Sequence, residues 1–119
     1  MPFEQLDVWK RSARLSGDIY KQLSNLRDYG FRDQITRAGL SIPSNIAEGV
    51  ERDSARDVVR FLYIAKASVG ELRTQVYIGV DIGYIPPNVG SRWIEESRQL
   101  SAMLVGPIER VRRDSANSN

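Results

Sequence analysis

Residues 34–52 read QITRAGLSIPSNIAEGVER, and the spacing of their apolar members decides the fold. Ile35, Ala38, Gly39, Ile42, Ile46, Gly49 and Val50 recur at steps of three and four, which places them on one side of an α-helix. Arg37, Ser41, Asn45 and Glu48 fall on the opposite side. Pro43 sits inside this pattern, where it removes a ladder hydrogen bond and crowds the carbonyl of Gly39 at about 3 kcal/mol, so a kink is expected there. The small residues Ala38, Gly39, Ala47 and Gly49 leave room for a neighbouring backbone to approach the bend. Ser41 and Asn45 are poor helix formers for a face that exposure alone would leave free to choose. The row Arg37, Ser41, Asn45, Glu48 is therefore expected to meet another subunit, with hydrogen bonds spanning the gap.

Three further helical patterns flank this one. Upstream, Leu6, Trp9, Ala13, Tyr20 and Leu23 form a seam with Val8, Leu15, Ile19 and Leu26 beside it, so a first helix is expected from about Leu6 to Leu26. Lys10, Arg14 and Lys21 stack on its polar side, either as a strip for phosphates or as a solvated face with i,i+4 pairs such as Arg14–Asp18. Arg27-Asp28-Tyr29-Gly30 carries turn signals, which starts the second helix near Phe31.

Downstream, Ser54 is placed to cap a third helix, with Asp57 three residues on. Val58, Leu62, Ala65, Val69, Leu72, Val76 and Val80 then alternate by four and three, a seam widened by Phe61, Ile64 and Ile78. Glu71 borders that seam, so a partner is expected for it, such as an arginine of another helix or subunit. Pro86-Pro87 stops the helix, and Asn88 or Ser91 is the expected cap of a fourth, whose seam is Trp93, Ser97, Leu100, Leu104, Ile108 and Val111. Gly106-Pro107 predicts a kink or an early end near Val105. Arg110, Arg112 and Arg113 cluster near the last turn, where cations suit the helix dipole as well as they suit phosphate. The expected architecture is all-α, an antiparallel up-down-up-down four-helix bundle in one domain over residues 1–113, with a disordered polar tail over 114–119.

Composition removes several chemistries. With no cysteine there is no disulfide, thiolate nucleophile, zinc ribbon or iron–sulfur site. With no histidine the usual general base and the Glu-x-x-His di-iron bundle go as well. Neither G-x-x-x-x-G-K-[ST] nor a strand followed by G-x-G-x-x-G occurs. Carboxylates such as Glu48, Glu51 and Glu71 leave open an acid–base pair or a magnesium site, but arginines at helical spacing account for them, as Glu48 four before Arg52 shows. No catalytic residue, cofactor or metal is expected. The charged N-terminus lacks the apolar core of a secretory signal, and the longest uncharged runs, Ala38–Ala47 and Gln99–Ile108, are too short to span a bilayer. A soluble, cytoplasmic protein is the expectation. Net charge is only +2, yet all of the 17 basic residues except Lys10, Lys21 and Lys66 are arginine, the residue suited to bidentate phosphate or carboxylate contacts.

One stretch is also a signature. Arg37-Ala38 followed by Ser41-Ile42-Pro43-Ser44-Asn45-Ile46-Ala47-Glu48-Gly49 closely resembles the hallmark of the 23S rRNA intervening-sequence proteins, the four-helix-bundle S23 family. Leu6-Asp7-Val8-Trp9, Tyr29-Gly30-Phe31, Gln34, Arg60-Phe61-Leu62, Ala65, Ser68, Glu71 and Leu72 extend the likeness over roughly Phe3 to Leu104. The chain departs from the family pattern in lacking a Phe-Pro pair before the second helix, in Ala67, and in Gly106-Pro107.

The resemblance implies a homopentamer without established enzymatic activity. It is similar as well to the basic pentameric accessory variability protein of diversity-generating retroelements, which implies RNA or DNA and a reverse transcriptase as partners. The nucleic-acid candidates are Lys10, Arg14, Lys21, Arg56, Arg60, Arg110, Arg112 and Arg113, and the oligomer-interface candidates are Arg37, Ser41, Asn45, Glu48 and Glu71. The competing readings are a protein–protein adaptor with solubilising charges and a carboxylate-metal enzyme.

Overall fold

The computed structural model describes residues 2–117, and these form four α-helices with no strand among them. A 3₁₀ turn over Phe3–Gln5 leads into α1 (Asp7–Gln22), followed by α2 (Tyr29–Val50), α3 (Ala55–Asp81) and α4 (Pro87–Asn117). Consecutive helices pair in opposite directions. Along α2, Phe31, Ser41 and Gly49 meet Gly79, Ser68 and Phe61 of α3 in turn, and along α4, Gly90, Ser97 and Arg112 meet Val80, Arg73 and Tyr63. The result is an elongated bundle of 53 × 22 × 19 Å.

Helix ends follow from local chemistry. The side chain of Asp28 caps α2 by accepting the Phe31 N–H at 3.1 Å, which starts the helix two residues earlier than the sequence reading placed it. α1 closes at Gln22 rather than Leu26: the Leu26 N–H turns back to the Leu23 carbonyl, and Ser24 donates its hydroxyl to the Lys21 carbonyl. Ser54 caps α3 through the Asp57 N–H, as its spacing predicts. α3 ends in a Schellman motif: Gly83 takes φ +83°, and the N–H groups of Tyr84 and Gly83 reach the carbonyls of Gly79 and Val80.

At α4 the expected cap and the expected early end both fail. The helix begins at Pro87, ahead of Asn88 and Ser91, because a proline in the first turn surrenders no needed N–H, while the Pro86 carbonyl accepts from Gly90. It also passes Gly106-Pro107 unbroken and continues to Asn117, so residues 114–117 are helical where a disordered tail was expected. Buried Leu104 and Ile108 hold the chain to the core on both sides of the proline. Residues 118 and 119 lie outside the described region. Pro43 behaves alike: α2 is continuous across it, with Ile42 and Ile46 fully buried on either side.

The seams of α2, α3 and α4 point inward as the periodicity predicts, meeting in a core that includes Ile35, Ile42, Val69, Leu72, Leu100 and Leu104. α1 is rotated relative to its sequence reading. Val8, Ser12, Leu15, Ser16, Ile19 and Leu23 face inward, while Tyr20 stays 49% exposed. Ser12 is satisfied by the Trp9 carbonyl one turn back, and Ser16 lies where α2 presents Gly39, so small side chains set the approach of the two helices.

Asp28 also ties two turns together. Its second oxygen accepts the Tyr84 hydroxyl at 2.8 Å, linking the α1–α2 turn to the α3–α4 turn. The Phe31 N–H first and the Tyr84 hydroxyl second hold the carboxyl below its ordinary value, and the same bond raises the Tyr84 phenol. Stability from the Asp28 group is therefore present above the ordinary carboxylate range and lost as pH falls through the depressed folded value, and that from Tyr84 is lost as pH rises through its raised one. Asp28→Ala is expected to be less stable than the parent near neutral pH and to lose less of its remaining stability on acidification, as followed by denaturant titration. Identical acid slopes for the two proteins would contradict this.

Candidate nucleic-acid and assembly surfaces

The end where α2 stops, α3 starts and α4 stops gathers arginine. Arg52 pairs with Glu48 at 2.6 Å, and both Arg52 and Arg60 lie over the Phe61 ring, 4.7 and 4.8 Å from its centroid. Arg112 lies over Tyr63 at 4.9 Å, and Arg112 and Arg56 line one cavity of ≈ 400 Å³. Stacking holds a guanidinium by its face and leaves its N–H edge free for a phosphate. Arg60 has Asp57 at 4.0 Å, whereas Arg56, Arg110 and Arg113 have no carboxylate within that distance among the described residues.

The structure divides the basic residues picked from the sequence. Arg56, Arg60, Arg110, Arg112 and Arg113 come together at this end. Lys10, Arg14 and Lys21 are exposed on α1, and Lys21 shares a cavity with Arg92 near the start of α4. Arg92 and Arg112 are twenty residues apart on one helix, about 30 Å at 1.5 Å per residue, so Lys21 lies apart from the arginine-rich end and the eight candidates do not make one surface. The Arg14–Asp18 pair expected on α1 does not form. Arg11 and Arg92, absent from the sequence-based set, line the α1–α4 seam, where Arg11 is held by Glu96 and Gln99 and its guanidinium pKa is raised chiefly by the Glu96 hydrogen bond. A contact across 85 residues leaves no local signal in the sequence.

The row Arg37, Ser41, Asn45, Glu48 lies along the outer side of the α2–α3 pair. Arg37 is exposed; Glu48 is engaged by Arg52. Ser41 and Asn45 make their hydrogen bonds within the chain: Ser41 Oγ meets Ser68 Oγ at 2.8 Å, and the Asn45 amide donates to the Ser41 carbonyl and hydroxyl at 2.8 and 2.9 Å. Ser41 therefore ties α2 to α3 while Asn45 braces it from one turn on within α2, which explains why poor helix formers occupy those positions. Glu71 is exposed, and its partner is the Gln75 amide at 3.3 Å rather than an arginine.

Beside Glu71, α3 carries Ile64, Ile78 and Ile82, which are 39, 48 and 50% exposed. Ile64, Glu71 and Ile78 repeat every seven residues and Ile82 follows one turn on, so they form one stripe. A second apolar surface lies elsewhere. Between the 3₁₀ turn, α1 and α2 an open cavity of ≈ 340 Å³ is walled by Phe3, Trp9, Ala13, Leu40, Pro43 and Ala47. Pro43, Ser44 and Ala47 of the signature line this cavity, a role that their helical period does not disclose.

Among the described residues, no cluster of three or more acidic side chains is placed to hold a metal ion, and no helix is long and apolar enough to cross a membrane. An all-α four-helix bundle with an arginine-rich end and two open apolar faces is the class of protein that these features define. The chain belongs to the 23S rRNA-intervening sequence protein family, whose sequence model matches residues 4–106. A solved structure with a TM-score of 0.79 is that of a protein of unknown function from the S23 ribosomal protein family of Bacteroides thetaiotaomicron VPI-5482. It is 25% identical and covers 85% of this chain and 97% of its own. No curated protein matches the sequence.

Proposed function

We propose that this protein is a non-catalytic cytoplasmic bundle that closes into a homo-oligomeric ring, of five subunits by the family resemblance, and presents its arginine-rich ends to RNA or DNA. The observation that carries the nucleic-acid reading is the gathering of Arg56, Arg60, Arg110, Arg112 and Arg113 at one end, with Arg112 stacked on Tyr63 and Arg56, Arg110 and Arg113 without an acidic partner among the described residues. One chain has a net charge of only +2, so a ring that repeats this end supplies the multivalency that one subunit lacks.

The ring reading is supported by the two separate apolar surfaces. A contact between unlike surfaces propagates head to tail and closes when its rotation allows. In this arrangement the Ile64, Ile78, Ile82 stripe of one subunit seats on the Phe3, Trp9, Leu40 groove of the next, bringing Glu71 toward the exposed Arg37 beside that groove. By likeness to the retroelement accessory proteins, a reverse transcriptase is a fitting protein partner.

Binding of single-stranded RNA and of duplex DNA, measured at about 50 and 200 mM salt, tests the nucleic-acid reading. The variant Arg110→Gln/Arg112→Gln/Arg113→Gln is expected to bind more weakly and to lower the salt slope by about one for each contact removed. Absence of binding at low salt, or an unchanged slope in the variant, would remove this reading. It would favour the adaptor, whose mark is one protein retained on the immobilised chain after nuclease treatment.

A further inference from the structure

The seam between α1 and α4 is the least closely packed in the bundle and opens into two adjoining cavities of ≈ 200 and ≈ 240 Å³. Asp18, Arg92 and Trp93 line both; Arg11, Arg14 and Glu96 extend the groove one way, and Lys21 and Gln22 the other. Trp93 is only 2% exposed, and its indole N–H is buried without an acceptor. A buried donor without a partner calls for an explanation, and an oxygen acceptor brought by a ligand is one. Of the groove's cations Arg11 is occupied by Glu96, whereas among the described residues Arg14, Lys21 and Arg92 have no carboxylate within 4.0 Å and Asp18 has no cation within that distance. Three free cations thus face one free carboxylate, beside an orphan N–H donor.

We propose that this groove binds a phosphate-bearing ligand of pyrophosphate size, with Arg14, Arg92 and Lys21 holding the anion and the Trp93 indole N–H donating to one of its oxygens. The groove is lined mainly by charged side chains rather than by apolar ones, which fits a charged oxyanion group better than a large organic body. Guanidinium forks match phosphate oxygens in pairs, and lysine adds a point charge. The groove is remote from the arginine-rich end, so it stands or falls independently of nucleic-acid binding there. The phosphate has two possible sources, a free pyrophosphate anion or the terminal phosphate of a nucleic acid.

The full chain labelled with ¹⁵N resolves its two tryptophan indoles, Trp9 and Trp93, and reports directly on the orphan donor. Titration with inorganic pyrophosphate is expected to move the Trp93 indole signal saturably while leaving that of Trp9 in place. Arg14→Gln/Arg92→Gln should weaken the response at least about tenfold, the loss expected from removing charge-assisted contacts. Asp18→Asn should strengthen it by removing the one opposing free charge, and Arg110→Gln/Arg112→Gln/Arg113→Gln should leave it unchanged. Oligonucleotides with and without a 5′-phosphate separate the sources: a response to the phosphorylated strand at lower concentration than to pyrophosphate assigns the site to a nucleic-acid terminus, and equal responses assign it to the free anion. No saturable shift up to about 10 mM, where binding would be too weak to serve, overturns the proposal. So does an unaltered response in Arg14→Gln/Arg92→Gln, or a weakened one in Asp18→Asn.

Discussion

Gly90→Val is expected to destabilise the bundle by about 3 kcal/mol, more than its position near the start of a helix suggests, because overpacking where two helices touch strains both. A Cβ at Gly90 would lie 2.3 Å from Cγ2 of Val80 and 3.7 Å from both Ile85 and Val76. Val80 has no flexible end to swing aside, since its branched side chain is confined at χ1. Relief must come from moving α4 away from α3, which opens the packing around Val76 and Ile85. Gly79 faces the same junction, where a Cβ would come within 2.5 Å of Ile85 Cδ1 and 3.1 Å of Phe31. The control is Gly70→Ala, where a Cβ meets nothing within 4 Å and the gain in helix propensity, about 1 kcal/mol, should appear as stabilisation. Thermal or denaturant unfolding of the two variants decides the matter: a Gly90→Val protein as stable as the parent would show that the α3–α4 contact is not set by its glycines.

Ile78→Arg is expected to reduce the native mass from a ring of five to a single chain of 13.5 kDa without loss of helix content. Ile78 is 48% exposed, so a substitution there costs the folded subunit little. In the proposed ring the same position would sit in every interface, and an arginine placed against an apolar groove must be desolvated at each one. A closed ring multiplies that penalty by the number of its contacts. Tyr77→Arg is the matched control: Tyr77 is 50% exposed, adjacent in sequence, and turned toward Arg98 of α4, which donates to its hydroxyl. Light scattering or native mass spectrometry should find the Tyr77 variant assembled and the Ile78 variant monomeric. A monomeric parent would exclude the ring, and an assembled Ile78→Arg protein would move the interface away from α3.

Four helices, their approximate limits and the inward seams of α2, α3 and α4 were legible in the order of residues, because apolar spacing and capping chemistry act within one turn and are written locally. The Ser54 cap belongs to the same class of information. The rotation of α1 was not legible. Ser12 and Ser16 look polar in a list of residues, yet their position against α2, and for Ser12 the Trp9 carbonyl, makes their burial favourable. The persistence of α4 through Pro107 was hidden for a related reason: a proline's local cost is fixed, but the core burial of Leu104 and Ile108 that offsets it is a property of the assembled bundle.

The candidate surfaces divide along the same line. The sequence by itself marked Arg110, Arg112 and Arg113 as a cluster because they are neighbours in the chain. Only the tertiary structure added Arg56 and Arg60 to that end, removed Lys21 to a region about 30 Å away along the bundle, and turned Ser41, braced by Asn45, into an internal link between α2 and α3. It alone paired Arg11 with Glu96 and placed Arg14, Arg92 and the unpartnered Trp93 N–H around one groove. Helical period fixes which residues share a face of one helix. Which faces of different helices come together depends on how closely the backbones approach and at what rotation, and residues such as Gly39, Gly79, Gly90 and Ser16 decide that only once both partners are in place.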